Sequence, residues 1–141
     1  MDSIIRVEHL DAEFGGKKIL KDINLEIAAR DITIILGSSG CGKTTLFKHL
    51  IGLYPPQQGK IQVFDFTLNN ISEEAYEKFT REIGVLFQNS ALFNSLTVEE
   101  NLSIPLEQNT TLSRPMIQRL VAKKLELVNL REVIRYYPGQ L

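Results

Sequence analysis

Gly37-Ser38-Ser39-Gly40-Cys41-Gly42-Lys43-Thr44 fits the spacing G-x-x-x-x-G-K-[ST] at every fixed position. Those residue types at that spacing suit one chemistry, the binding of phosphate groups. Glycines let successive backbone N–H groups turn inward around an anion. A helix beginning near Lys43 adds the partial positive charge of its N-terminus. The Lys43 ammonium would neutralise β- and γ-phosphates, and the Thr44 hydroxyl would ligate Mg²⁺. Taken alone, the loop leaves kinase, GTPase, motor and transporter ATPase open. The N-K-x-D base-recognition motif expected of a GTPase is absent from the sequence.

Such a loop needs a buried strand before it and a helix after it, and the sequence predicts both. Ile32-Thr33-Ile34-Ile35-Leu36 is short and nearly all apolar, the pattern of a parallel strand covered on both faces. From Lys43 the period becomes helical, with Leu46, Phe47, Leu50 and Ile51 on one face and Pro55-Pro56 closing the segment. Upstream, Ile4, Ile5 and Val7 suggest a first strand and Gly15-Gly16 a tight turn. Ile19 to Ile27 follows, with Ile23, Leu25 and Ile27 alternating against Asn24 and Glu26 as in a half-buried strand.

Downstream, Ile61 to Phe64 and Ile83 to Phe87 read as strands, and Ser72 caps a helix from Glu73 to Glu82. Beyond Phe87 the pattern is helical. Thr97 and Glu100 have the spacing of a capping box, and Pro105 is expected to limit that helix. Ser113 precedes a longer helix whose stripe is Ile117, Leu120, Val121, Leu125 and Val128. A last turn or two, with Leu130, Val133, Ile134 and Tyr137, stops at Pro138-Gly139. The expected division is residues 1–88, alternating strands and helices, and residues 89–141, helices alone.

The 141 residues are enough for one compact domain of ordinary size. With 43% hydrophobic and 23% charged residues, the composition is that of a soluble globular chain. Sixteen Lys plus Arg against 17 Asp plus Glu leave a formal charge of −1, which argues against a nucleic-acid footprint. No apolar run approaches a membrane span, and the N-terminus lacks the pattern of a secretory signal. One cysteine builds no disulfide framework. Cys41 reads as a small filler of a variable loop position, and Lys123-Lys124 as a solvated helix face. His9 and His49 lie apart without ligand-like spacing. The sequons at Asn70, Asn101 and Asn109 carry no meaning in a cytosolic chain.

The stretches Ile19–Ile27 and Ile32–Leu46, with the loop between Gly37 and Thr44 inside the second, resemble the start of an ABC transporter ATPase subunit. The resemblance implies an α/β P-loop NTPase, a RecA-like core with an antiparallel β subdomain, binding ATP and Mg²⁺. In that family an aromatic about two dozen positions before the loop stacks on adenine, and Phe14 stands 23 residues before Gly37. A flat ring suits a base because stacking needs only a π face. Leu86-Phe87-Gln88 resembles the family's Q-loop, whose glutamine reaches Mg²⁺ and the attacking water. An amide can do so without adding charge. The implied nucleotide site is therefore Phe14, Gly37, Ser38, Ser39, Gly40, Cys41, Gly42, Lys43, Thr44 and Thr45, with Thr44 and Gln88 at the metal and Lys43 and Gln88 in catalysis.

Phe87 to Val98, continuing to Asn101 and Ile104-Pro105-Leu106, is similar to the ATPases of bacterial Mla/Mce-type transporters, which move phospholipids between the membranes of Gram-negative cells. An amino-acid or other small-solute importer is the alternative, as is a nucleotide-binding remnant without turnover. The implied partners are transmembrane permease subunits and a second ATPase subunit, with the chain cytoplasmic on the inner membrane. The resemblance covers only the family's N-terminal part. Pro138-Gly139-Gln140-Leu141 stands where the family's signature motif would begin, so the fold is expected to be truncated before that motif and Walker B. Two consequences are expected. General bases are worth roughly 10²–10⁴ in rate, so hydrolysis by these residues alone should stay near background. Strand Ile32–Leu36 would keep open edges and exposed apolar faces, so the chain should self-associate.

Overall fold

The computed structural model describes residues 3–88 and 91–141, and the chain divides into two compact units, Met1–Val85 and Leu86–Leu141. Asn89 and Ser90, within the stretch similar to Mla/Mce-type ATPases and at the expected start of the helical part, lie outside the described residues.

The first unit is built on a long hairpin, β1 (Ser3–Phe14) and β2 (Lys17–Ala28). Gly15 and Gly16 connect them with φ of 58° and 75°. Two positive φ values give the turn whose twist matches that of paired strands, which is why two glycines serve there. Both strands carry bulges that explain their broken alternation. Val7 is buried, and so are Leu10 and Ala12, although their parity differs. The extra residue is absorbed at His9, with φ of 50°, where the register shifts between Val7 and Leu10. In β2, Asp22, also at φ 50°, switches the inward set from Leu20 to Ile23 and Leu25.

Strands β3 (Gln58–Val63) and β4 (Phe66–Thr67) complete an antiparallel sheet of order β2-β1-β3-β4. Helix α1 (Lys43–Leu50) and helix α2 (Glu73–Glu82) contribute Leu46, Leu50 and Phe79 to the core with Val7, Leu10, Leu20, Ile61, Val63 and Leu68. Each fully buried large side chain of this set stabilises by about 1.5–3 kcal/mol. Ser72 caps α2, its hydroxyl accepting from the Ala75 N–H at 3.3 Å. Phe79 is flanked by the rings of Phe66 and Tyr76, with centroids at 5.7 and 6.2 Å.

The strand expected at residues 32–36 does not form, and neither does the one expected at 83–87. Ile32 is 90% exposed, Leu36 86% and Leu86 90%. A strand is defined by its ladder, and among the described residues no neighbouring strand runs beside either segment. Apolar composition signals burial in a parallel sheet, but only hydrogen-bonded neighbours make the sheet. The exposed apolar side chains expected from the sequence are present, but with no strand formed there is no strand edge.

In the second unit, helix α3 (Val98–Asn109) opens on the anticipated capping box. The Thr97 hydroxyl accepts from the Glu100 N–H at 3.2 Å, and the Glu100 carboxylate accepts from the Thr97 N–H at 2.7 Å. Two further N–H groups of its first turn, Val98 and Glu99, donate to the carbonyls of Tyr136 and Ile134 at 2.9 Å. Pro105 does not end α3, which runs on to Asn109, whose side chain returns to the Pro105 carbonyl at 2.9 Å. Helix α4 (Arg114–Leu127) buries Ile117, Val121 and Leu125 against Val98, Leu106, Leu112 and Ile134. Leu120 and Val128, expected in the same stripe, are 36% and 60% exposed; Val128 caps the helix rather than lying in it. Pro138-Gly139 sits inside a terminal 3₁₀ turn, Pro138–Gln140, instead of stopping one.

Candidate functional site

The phosphate-type loop runs from Gly37 into α1. Gly42 is the N-cap of α1 with φ 98° and ψ 4°, a conformation that glycine adopts without strain. A Cβ there would meet Leu20 Cδ2 at 2.9 Å and the Ile19 carbonyl at 3.2 Å, so the loop's last turn is seated on β2. Gly40 also has positive φ, 78°, in open space. Gly37 is constrained by contact: a Cβ would stand 2.6 Å from Cys41 Sγ.

The α1 ladder begins with the Leu46 N–H donating to the Gly42 carbonyl at 2.8 Å. The N–H groups of Lys43, Thr44 and Thr45 precede that first bond and have no intrahelical acceptor. Neither an acidic residue nor a side-chain cap occupies this helix start. The Lys43 Nζ folds into the loop and donates to the carbonyls of Gly37 and Ser38, both at 2.7 Å. It also stands 3.6 Å from Cys41 Sγ. Free N–H groups, a glycine cradle and an ammonium within one loop are a donor set that fits a phosphate group. Thr44 presents its side chain at the surface, where a hydroxyl can reach a metal held by that phosphate, and Ser38 and Ser39 are exposed. Thr45 is half-buried, and its carbonyl accepts from His49 Nδ1 at 2.9 Å, which gives the buried His49 a structural partner.

Phe14 ends β1 beside the turn and is 42% exposed. Its ring centroid lies 5.2 Å from that of Tyr54, tilted by 47°. Gln57 clamps the adjacent Glu13, accepting from its N–H at 2.8 Å and donating to its carbonyl at 3.1 Å. Neither Tyr54 nor Gln57 has a motif spacing that would announce it. Their sole sequence signal is a position flanking Pro55-Pro56, which ties the chain leaving α1 to a fixed path. Gln88 belongs to the second unit, exposed and outside any strand.

Among the described residues four carboxylates are held below their ordinary values, Asp11 half-buried and the other three exposed. Lys18 lowers Asp11 through a hydrogen bond, helped by the Asp22 N–H. His9 does the same to Asp22, followed by Asn24. Arg6 lowers Glu26, and the Thr97 N–H lowers Glu100. These shifts follow from strand and cap geometry and lie outside the loop.

The ABC transporter family profile matches residues 20–141. Over 141 residues the chain is 34% identical to the probable ribonucleotide transport ATP-binding protein mkl of Mycobacterium leprae, covering 100% of this chain and 41% of that protein. Over 139 residues it is 33% identical to the intermembrane phospholipid transport system ATP-binding protein MlaF of Haemophilus influenzae, covering 99% and 53%. The chain thus spans about two fifths to about half of the length of these curated relatives. Among solved structures, the dimeric post-hydrolysis state of the ATP-binding cassette MJ0796 bound to ADP and Pi superposes with a TM-score of 0.86 at 25% identity. That match covers 97% of this chain and 62% of the other.

Proposed function

Because the chain belongs to the ABC transporter family of ATP-binding domains, we propose that its Gly37–Thr44 loop binds ATP with Mg²⁺ and that, in the complete protein, hydrolysis there powers a membrane transporter. Its fold is the α/β P-loop NTPase fold of the ABC ATPase cassettes. The observation that carries the proposal is the Lys43 ammonium folded into a glycine-built loop at the free start of α1.

In this reading the N–H groups of Lys43, Thr44 and Thr45 would donate to the β-phosphate. Lys43 leaves its two carbonyls for the β- and γ-phosphate oxygens. Ser38, Ser39 and Cys41 line the cradle, the Thr44 hydroxyl holds Mg²⁺, and Phe14 stacks on adenine. The bound Mg²⁺ would neutralise charge developing on the phosphates. Gln88 would sense the γ-phosphate and orient water, and residues 89–106 would begin the surface facing transmembrane permease subunits. A second copy of the ATPase subunit would complete the working pair at the cytoplasmic face of the inner membrane. Among the described residues no helix is long and apolar enough to cross a membrane.

A lipid of the bacterial envelope is the cargo favoured by the Phe87–Leu106 stretch and by the MlaF relative. The mkl relative supports the rival reading, a small-solute transporter. Titration of the chain with Mg-ATP and Mg-GTP, alongside Lys43→Ala, tests the site. Saturable ATP binding, weakened about ten- to a hundredfold by the substitution, is expected from losing hydrogen bonds to a charged group. Equal binding by both proteins would sink the proposal.

A further inference from the structure

Tyr54 is fixed to α1 at several points. Its N–H donates to the Lys48 carbonyl at 3.1 Å. Its hydroxyl accepts from Lys48 Nζ at 3.2 Å, and the same ammonium stands 5.1 Å from its ring centroid. The His49 ring meets it edge-on at 5.7 Å, and His49 is itself buried and bonded to Thr45. Tyr54 is therefore an extension of the helix whose first residues close the phosphate loop. Against it rests the Phe14 ring, while Gln57 from the same connecting segment grips the backbone of Glu13. The segment 54–57 thus holds the last two residues of β1 by both ring and backbone.

We propose that Tyr54 is a positioning residue for nucleoside recognition, holding the Phe14 ring in the orientation that stacks on the base and registering that ring to the phosphate loop. The proposal rests on the reading of Phe14 given above. A phenylalanine at a hairpin end has rotamers to lose when a base stacks on it, and that loss weakens binding. With one side of the ring already against Tyr54 and 42% of the residue still exposed, part of the loss is incurred on folding. The phosphates make no use of this device, so its effect is confined to the nucleoside end of the ligand.

The test is titration of the chain with Mg-ATP and with Mg-tripolyphosphate, for the unsubstituted protein, Phe14→Ala, Tyr54→Ala and Tyr54→Phe. Phe14→Ala is expected to weaken ATP about five- to a hundredfold, the worth of one base–aromatic stack. Tyr54→Ala is expected to weaken ATP about two- to tenfold, the worth of one aromatic pair. Both should bind tripolyphosphate as the unsubstituted chain does, which also shows that the loop and α1 remain folded. Tyr54→Phe keeps the ring and should restore most of the ATP affinity. If Phe14→Ala weakens ATP while Tyr54→Ala does not, the positioning role is wrong and the reading of Phe14 stands. Equal weakening of both ligands by Tyr54→Ala would assign Tyr54 to the stability of α1 and overturn the proposal. ATP binding untouched by Phe14→Ala, or an unsubstituted chain that binds neither ligand, overturns the reading and the proposal together.

Discussion

At Gly42 two demands coincide, a φ of 98° and a side-chain position already occupied by Leu20 and the Ile19 carbonyl. Either would disfavour alanine. Together they mean that Gly42→Ala must shift the loop off β2 or hold a left-handed backbone, at about 1–3 kcal/mol. We expect a lowered denaturant midpoint and weakened Mg-ATP binding from that one substitution; an unchanged midpoint would show that the loop relaxes freely. Gly40→Ala has the same left-handed cost without the collision, so it should destabilise less. This loop was legible in the sequence because its constraint is local: glycine positions, a lysine and a hydroxyl residue within eight consecutive positions. Tyr54 and Gln57 were not, because their meaning lies in contact with Phe14 and Glu13, and nothing in a single sequence records that pairing.

The hairpin of β1 and β2 is held at its bulges by side chains standing in for ladder bonds. The His9 N–H donates to Asn24 Oδ1 at 2.9 Å, the Asp22 N–H donates to Asp11 Oδ1 at 2.8 Å, and Lys18 pairs with Asp11 at 2.8 Å. Lys18 and the Asp22 N–H hold the Asp11 carboxyl below its ordinary 3.8. Since the folded value lies under the unfolded one, the charged form stabilises the hairpin fully above pH 3.8, and the contribution fades as pH falls through the lower folded value. Thermal melts of the chain and of Asp11→Asn should therefore differ at neutral pH and converge below pH 3.8; a constant gap through that window would remove the ion pair from the account. Elements closed by such local chemistry were readable. Gly15-Gly16, Ser72 and the Thr97–Glu100 box each mark a boundary found in the structure. The bulges were not, since a parity change at His9 and Asp22 looks like noise until the register is known. Residues 32–36 and 83–87 failed as strands for the opposite reason: the apolar pattern states what a strand needs, and its neighbours must come from elsewhere.

At the scale of the whole molecule those two segments set the behaviour in solution. Ile32, Ile34 and Leu36 alternate along one segment and are 90%, 74% and 86% exposed, and Leu86 is 90% exposed in the other. Soluble chains seldom leave large side chains so open in a contiguous apolar run, and backbone outside any sheet ladder is a template for strand addition. A second copy offers matching chemistry, because an apolar strand pairs with its own copy as readily as with any other. Burying four large apolar side chains stabilises by roughly 6–12 kcal/mol at about 1.5–3 kcal/mol each. Association costs at least about 4 kcal/mol in lost freedom, which leaves at most about 2–8 kcal/mol, binding in the range of about tens of millimolar to micromolar. The chain should accordingly show a mass that rises with concentration across that range in light scattering or sedimentation. Ile34→Lys, placing a charge in the middle of the first segment, should shift the equilibrium toward monomer without disturbing the hairpin core, since Ile34 is not part of it. A monomer at every concentration, or an association indifferent to Ile34→Lys, would mean that these segments are not the adhesive surface. Mg-ATP binding measured on the monomeric variant would then report on the phosphate loop free of association, because Ile34 lies outside the Gly37–Thr44 cradle.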